Sequence, residues 1–399
     1  MMPNPGGTID PKDIIGRNKI VKRMYNTLEV QSVVLVSERR VGKTCVLKKL
    51  KERVSDNPKI LCFLMEVSGL ESPIEFIEKI YDSLNKSLSL PKRKRAWSFL
   101  KKQYKLISGQ KVGDWHLPEL RENWKELLWA VIRDLTEHFP HRFIFMFDEF
   151  PTMIDKIAEN EGSKTAMNLL DTLRDIRQED EEGKIRMVFC GSIGLHIVLS
   201  KLKKEGYKSA PFNDTATVLL EPLEDKYAIQ LGTELAKGCK IELENSSETA
   251  KHIANSVDNF PFYIHHLFAA FDEQGLSQID KGKVDQTLDT IILDPYDPIA
   301  FEHYIGRIDV YYPDGVKPLA RFLLTFLSTA NKPHSFSKLW NELKTHFELS
   351  DPEIARQTLE LLVKDHYLSQ TREGDAFFYE FKYQIIQKWW ALRRGEFES

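Results

Sequence analysis

The sequence has few cysteines and no large excess of either charge. Its four cysteines lie far apart, so we expect neither a disulfide framework nor a cysteine metal site. The formal net charge of −3 gives no indication that the protein as a whole binds nucleic acid or a membrane. No apolar run approaches the roughly 20 residues of a membrane span. We also expect no secretion signal in the polar start, and these absences favour a cytoplasmic protein.

Residues 33–54 have the pattern of a buried strand, a tight loop and a helix. Val33 to Val36 is a short apolar run rich in β-branched residues, and residues 44–54 have apolar positions at helical spacing. The loop between them closes with Gly42-Lys43-Thr44, the end of a Walker A motif. Ser37 stands where that motif has its first glycine. The alternative interpretation is a surface turn that opens an ordinary helix.

The Walker A interpretation gives a role to each part of the loop. Backbone N–H groups at the loop and at the helix start would bind phosphate, helped by the helix dipole. Lys43, expected at the surface of the loop, would reach the β- and γ-phosphates, and the Thr44 hydroxyl would ligate Mg²⁺. The predicted nucleotide-binding residues of the loop are Arg39, Arg40, Val41, Gly42, Lys43, Thr44 and Cys45.

A second motif follows about a hundred residues later. Five apolar residues, 143–147, precede Asp148-Glu149, which is the pattern of a Walker B strand. Asp148 would hold Mg²⁺, directly or through water, and Glu149 would orient and deprotonate the attacking water. A buried strand ending in a solvated acidic turn is the alternative. We also predict that Ser192, after the next strand, touches the γ-phosphate or the lytic water; otherwise it is a turn serine.

Strands and helices alternate along the first half of the chain, which predicts an α/β fold with a parallel sheet and helices on both faces. Residues 85–118 interrupt this alternation, and we interpret them as an insertion. Within it, the segment 91–105 has seven basic residues, no acidic residue and interleaved aromatics. It could contact nucleic acid or an acidic partner. We favour the other interpretation, a solvated helix with its aromatic side chains packed inward.

These features together resemble the prokaryotic "archaeal ATPase" family of AAA+-like STAND P-loop NTPases, which is similar to origin-recognition-type initiators. The resemblance is carried by Ile15-Gly16-Arg17, Arg39-Arg40, Gly42-Lys43-Thr44, Asp148-Glu149 and Leu220-Glu221-Pro222-Leu223. It implies that Ile15, Gly16 and Arg17 lie near the adenine. It also implies a lid that closes over the nucleotide at Pro261. No glycine precedes Pro261 in the family's Gly-x-Pro pattern, and the second-sensor arginine is absent.

The expected organisation has four parts: a flexible tail over 1–13, a P-loop ATPase domain over 14–223, a helical lid over 224–300 and a C-terminal winged helix over 301–399. We predict Ser335 and Ser350 as the caps of its second and third helices. A winged helix can bind DNA through its third helix. That helix, expected between Asp351 and Asp365, has more acidic than basic residues, which suits phosphate poorly. We therefore favour a protein-contact or autoinhibitory role for the winged helix.

The functional prediction is a slow, Mg²⁺-dependent ATPase switch whose nucleotide state controls the lid and the winged helix. Its expected ligands are ATP, ADP and Mg²⁺, and its expected partner is a protein or a second copy of the chain. DNA is a further candidate, for an initiator or transposition-type ATPase that uses the basic insertion. A nucleotide-binding scaffold with negligible turnover is the third hypothesis. Arg174, Arg177 and the lysines of 201–204 are candidates for an arginine finger.

Overall fold

The computed structural model describes residues 1–87, 123–191 and 194–394. The described residues within 10–220 form one compact unit, and those within 1–9 and 221–399 form the other. Nearly all of the basic insertion, and Ser192, lie outside the described residues. The further division of the second unit into a lid and a winged helix stays a prediction. Among the helices of the described ranges, none combines the length and apolar character that a membrane span needs.

Five parallel strands form the sheet of the first unit. In chain order they are β1 (Val33–Ser37), β2 (Ile60–Glu66), β3 (Arg142–Asp148), β4 (Ile185–Cys190) and β5 (Ala216–Leu220). Their order across the sheet is β2-β3-β4-β1-β5, so β4 separates the two strands that carry the Walker motifs. Helices cover both faces, which explains why the strand sequences are nearly continuous apolar runs. The predicted α/β fold of P-loop NTPases is confirmed.

The helices of the first unit alternate with these strands. They are Asn18–Val30, Lys43–Ser55, Pro73–Ser87, Trp124–His138, Phe150–Glu161, Ser163–Gln178 and Leu195–Lys204, preceded by the short 3-10 helix Pro11–Asp13. On β3, the rings of Phe143, Phe145 and Phe147 stack with centroids 6.3–6.4 Å apart on one face of the sheet. This aromatic ladder belongs to the core that holds β3 in place.

The second unit is mostly helical. Its helices are Asp225–Cys239, Ser246–Ser256, Pro261–Glu273, Lys281–Leu293, Glu302–Tyr311, Lys317–Ser328, Phe336–Phe347, Pro352–Lys364 and Gln384–Arg394. Two short strands, β6 (Glu242–Leu243) and β7 (Gln278–Ile279), pair in parallel, so residues 224–300 are not purely helical as expected. Three further strands, β8 (His334–Ser335), β9 (Leu368–Glu373) and β10 (Ala376–Phe381), form an antiparallel sheet in the order β8-β10-β9.

Side-chain caps mark the starts of three of these helices, and Asp280 is the cap of Lys281–Leu293. Ser335 accepts a hydrogen bond from the Lys338 N–H, as predicted. The predicted cap Ser350 is wrong, because Asp351 is the capping residue and accepts from the Glu353 N–H. A carboxylate is as good a cap as a hydroxyl, and it adds a favourable charge at the positive end of the helix.

Residues 1–9 belong to the second unit, and the flexibility predicted for residues 1–13 stays a prediction. The backbone N–H of Asn4 donates to Nδ1 of His265 across 3.1 Å. His265 is buried, and this burial lowers the pKa of its imidazole to about 4. It is therefore a core histidine that accepts a backbone hydrogen bond.

Candidate nucleotide site

The loop after β1 bends twice before its helix begins. Arg40 has φ 68°, and Gly42 has φ 101° and ψ 38°, both in the left-handed region. A Cβ on Gly42 would meet only Cys45 Cβ at 3.9 Å, so glycine is favoured here by the backbone conformation and not by lack of space. The helix Lys43–Ser55 then begins with the bond from Val46 N–H to Gly42 O. The bends place the loop ahead of a helix N-terminus, where anions bind favourably.

Lys43 is buried, with 7% of its surface exposed, so the prediction that it lies at the surface of the loop is wrong. Its Nζ donates to the backbone oxygen of Glu38 across 3.3 Å. Burial lowers the pKa of the Lys43 amine, and the nearby carboxylates of Glu149 and Glu38 oppose that shift. The loop curls around the lysine and keeps the amine inside its curve, among acidic groups.

The two Walker motifs meet in the folded chain. The Thr44 hydroxyl donates to Oδ2 of Asp148 across 2.7 Å, as the motif assignment predicts. Asp148 is the last residue of β3 and is only 4% exposed. No group of three or more metal-binding side chains occurs among the described residues. Mg²⁺ commonly uses one or two protein oxygens plus phosphate oxygens and water, so this hydroxyl and carboxylate fit it.

Glu149 lies one residue beyond β3, where the chain changes direction. Its backbone has φ 61° and ψ 34°, and the helix Phe150–Glu161 starts immediately after it. The Thr152 hydroxyl lies 3.5 Å from Glu149 Oε2, at the limit of a hydrogen bond. The Glu149 carboxylate is also one of the acidic groups that oppose the lowering of the Lys43 pKa. A left-handed residue between strand and helix thus separates the positions of the adjacent carboxylates: Asp148 contacts Thr44, and Glu149 lies beside Thr152.

Two residues at the end of β4 belong to the site but were not predicted. Cys190 Sγ donates to Oδ1 of Asp148 across 3.2 Å. Burial and the Asp148 carboxylate raise the pKa of this thiol well above its usual range, so it keeps its proton. A Cβ on Gly191 would lie 2.6 Å from Pro151 Cδ, which leaves no space for a larger residue. The only sequence signal for Cys190 and Gly191 is that they end the strand that was expected beside the Walker B strand.

Arg17 contacts the phosphate-binding loop directly. Its Nη2 donates to the backbone oxygen of Val41 across 2.7 Å, and burial lowers the pKa of its guanidinium to about 10. The neighbouring Ile14 oxygen accepts from Lys49 Nζ across 2.6 Å. These two bonds tie residues 14–17, including Gly16 at φ 74° and the half-buried Ile15, to the loop and its helix. Their predicted closeness to adenine stays a prediction.

Of the remaining predicted site residues, some lie at the loop, one lies in the second unit, and one is outside the described residues. Arg39, Arg40 and Cys45 are half-buried in or beside the loop, and the Arg39 N–H donates to Glu38 Oε1 across 2.7 Å. Pro261 begins the helix Pro261–Glu273 in the second unit, and its lid role stays a prediction. The sensor role of Ser192 also stays a prediction, because Ser192 lies outside the described residues.

Three of the candidates for an arginine finger, Arg174, Arg177 and Lys201, have other partners. Arg177 is ion-paired with Asp214 at 2.8 Å and lies 5.2 Å from the Phe189 ring centre. Its side chain is only 3% exposed, so it holds the core of its own unit and is not available to a nucleotide. Arg174 pairs with Asp171 and Asp175, and Lys201 pairs with Asp155 and Glu159.

Comparison with known proteins gives the same fold. A family profile described as an AAA domain matches residues 29–199. Similar solved structures include the Walker-type ATPase PABY2304 of Pyrococcus abyssi, at 15% identity and a TM-score of 0.65, over 98% of this chain and 99% of that one. Another is the ORC2 protein of Aeropyrum pernix, at 10% identity and a TM-score of 0.52, over 93% and 92%. No curated protein sequence matches.

These matches support an AAA+-like P-loop ATPase. At 10–15% identity the solved structures establish the likeness of fold alone. The profile covers the segment that contains both Walker motifs, and ATP binding is the property it supports.

Proposed function

We propose that this chain is an Mg²⁺-dependent switch that binds and hydrolyses ATP. The observation that carries the proposal is the 2.7 Å hydrogen bond between Thr44 and Asp148, beside the buried Lys43 amine. It brings a helix N-terminus, a cation and two hard oxygen ligands to one place. Thr44 and Asp148 would hold Mg²⁺, which when bound would supply positive charge that neutralises the phosphate oxygens.

The loop would bind the triphosphate by exchanging weak partners for strong ones. In the structure the Lys43 amine donates to a neutral backbone oxygen, that of Glu38, at 3.3 Å. A charged phosphate oxygen is a better partner for a desolvated ammonium group than a carbonyl is. The backbone N–H groups of 39–45 and the helix dipole would add to this attraction. Arg17 would keep the loop in shape through its bond to Val41 O.

Glu149 is the proposed general base. It would accept the proton of the attacking water and orient that water toward the γ-phosphate. Its position one residue beyond Asp148, on a left-handed turn, keeps its carboxylate apart from the Thr44–Asp148 pair. Ser192 would touch the γ-phosphate or the water, and Ile15, Gly16 and Arg17 would lie near the adenine.

The switch would act through the second unit. We infer a lid over 224–300, with Pro261 near the nucleotide, and a winged helix over 301–399. Three helices, 317–328, 336–347 and 352–364, and the antiparallel sheet β8-β10-β9 support the winged-helix assignment. Nucleotide binding and hydrolysis would alter the positions of these parts and so the affinity for a partner.

The third of these helices, Pro352–Lys364, favours a protein partner. Its cations pair with acids on the same helix: Arg356 with Glu353 at 4.0 Å, and Lys364 with Glu360 at 3.7 Å. A helix that binds DNA needs cationic side chains that can neutralise phosphates. The affinity of such a protein for DNA falls steeply as the salt concentration rises. We therefore propose a protein-contact or autoinhibitory surface for this helix.

The proposal is tested by separating binding from hydrolysis. Glu149→Gln should bind ATP as tightly as the wild type but hydrolyse it at least about a hundredfold more slowly, the scale of losing a general base. Lys43→Ala should remain folded and bind ATP much more weakly. The measurements are a calorimetric dissociation constant and a single-turnover rate for each variant.

A matched control is Glu159→Gln, which neutralises an acidic residue of Phe150–Glu161, the helix that follows Glu149. The Glu159 carboxylate pairs with Lys201 at 3.4 Å. This control should behave as the wild type in both measurements. Equal hydrolysis by Glu149→Gln and the wild type would exclude the catalytic assignment. A wild type that binds ATP without turnover would favour the nucleotide-binding scaffold.

A further inference from the structure

A thiol outside both Walker motifs contacts the Walker B carboxylate. Cys190 Sγ donates to Oδ1 of Asp148 across 3.2 Å. The other oxygen, Oδ2, accepts the Thr44 hydroxyl at 2.7 Å. One donor comes from the helix after the loop and the other from β4, so the carboxylate is held from two sides.

The pairing of the strands explains why the thiol lies there. β4 pairs with β3 on one side and with β1 on the other. In the β3–β4 register Phe147 lies opposite Phe189, with ring centroids 5.7 Å apart. The next residue on each strand is Asp148 or Cys190, and side chains alternate between the two faces of a sheet. Aromatic packing on one face therefore brings the thiol to the carboxylate on the other.

A thiol is suited to restrain a carboxylate that must also bind a metal ion. Its S–H group is a weak donor, whereas an ionised carboxylate has about four lone-pair sites. Asp148 can therefore keep both hydrogen bonds and still offer lone pairs to Mg²⁺. The hydrogen bond from the thiol limits rotation of the carboxylate. Because this bond is weak, it competes little with Mg²⁺ for the negative charge of the carboxylate. Groups that orient metal ligands in this way commonly change metal affinity by about 10–100-fold when they are removed.

We propose that Cys190 is a positioning residue, which orients Asp148 for Mg²⁺ through its hydrogen bond to Oδ1. This inference rests on the proposed function of the Thr44–Asp148 pair. It assigns to β4 a part in metal binding that neither Walker motif contains. Because the thiol is a weak donor, the effect of its loss should lie near the lower end of that range, about tenfold.

The test compares Cys190→Ala, Cys190→Ser and Cys62→Ala in the complete chain. Cys190→Ser keeps a donor, and Cys62→Ala removes another thiol of the same sheet, on β2. ATP binding is followed by calorimetry in EDTA and over a series of Mg²⁺ concentrations. Cys190→Ala should need about tenfold more Mg²⁺ for its half-maximal effect. Cys190→Ser and Cys62→Ala should match the wild type, and all variants should bind equally in EDTA.

An unchanged Mg²⁺ requirement in Cys190→Ala would overturn the positioning role. A wild type whose ATP binding does not respond to Mg²⁺ would instead overturn the proposed function. In that case a crystal structure of Cys190→Ala decides the positioning role separately. Rotation of the Asp148 carboxylate, or two conformers of it, supports the inference, and a single unchanged conformer with the Thr44 bond intact overturns it.

Discussion

Replacing Glu149 with glycine or with alanine should reveal backbone strain in the candidate site. Glu149 has φ 61° and ψ 34°, in the left-handed region that residues with a Cβ avoid. Both replacements remove the carboxylate, and with it the interactions with Thr152 and Lys43. The two variants therefore differ mainly in the Cβ atom, which carries the strain.

The expected order of stability is the reverse of the usual one. In an ordinary helix or strand, glycine is less stable than alanine by about 0.5–1 kcal/mol. The left-handed conformation costs a residue with a Cβ about 1–2 kcal/mol. The difference between these terms leaves Glu149→Gly more stable than Glu149→Ala by about 1 kcal/mol. In a unit of about 150–250 residues this corresponds to a Tm higher by about 2–4 °C.

The assay is thermal unfolding of the complete chain, with Glu159→Gly and Glu159→Ala as the control pair. Glu159 lies near the end of the same helix, Phe150–Glu161, and the control pair should show the ordinary order with alanine more stable. If Glu149→Ala unfolds at the same temperature as Glu149→Gly or above it, the backbone at this position is not strained and the reasoning fails.

Three further predictions concern the surroundings of the site. Gly191→Ala should lower the free energy of unfolding by about 1–3 kcal/mol, because its Cβ would overlap Pro151 Cδ; a Tm equal to that of the wild type would contradict this. Arg17→Ala should lower stability by about 1.5–3 kcal/mol, the value of a charged hydrogen bond, and should weaken ATP binding measured by calorimetry; unchanged affinity would exclude a role in shaping the loop. Replacing Lys92, Arg93, Lys94 and Arg95 with glutamine should reduce DNA affinity and its salt dependence only if the insertion binds DNA, and unaltered binding in a filter assay would favour a solvated surface.

Local pattern was sufficient to predict the strands and the meeting of the two motifs. Val33–Val36 and 143–147 are apolar runs because parallel strands covered on both faces need apolar side chains at every position. The two motifs assign Thr44 and Asp148 to one Mg²⁺ ion, which requires the two residues to lie close together, and the 2.7 Å hydrogen bond shows that they do. Each apolar run and each motif lies within a few residues of the chain, although Thr44 and Asp148 are 104 residues apart.

Other parts of the site depend on the order of the strands in space. Cys190 reaches Asp148 because β4 lies between β1 and β3, and no local pattern encodes that order. The bond from Arg17 to Val41 O and the burial of Lys43 likewise require the loop to curl in three dimensions. The strands β6, β7 and β8 have two residues each, too few to show an alternating pattern.

Within the first unit, backbone strain coincides with the candidate site. Among the described residues of the first unit, the non-glycine residues with positive φ are Arg40 and Glu149. One lies in the loop after β1, and the other follows Asp148 at the end of β3. Strained conformations persist only where surrounding structure holds them, and they concentrate at functional sites. The buried Lys43 amine, whose desolvation also costs stability, has the Glu149 carboxylate among its charged neighbours. The strained backbone at Arg40 and Glu149 and the buried Lys43 amine each cost stability, and all three occur in or next to the Walker motifs. This combination is expected of a site that binds a ligand, and not of a turn that opens an ordinary helix.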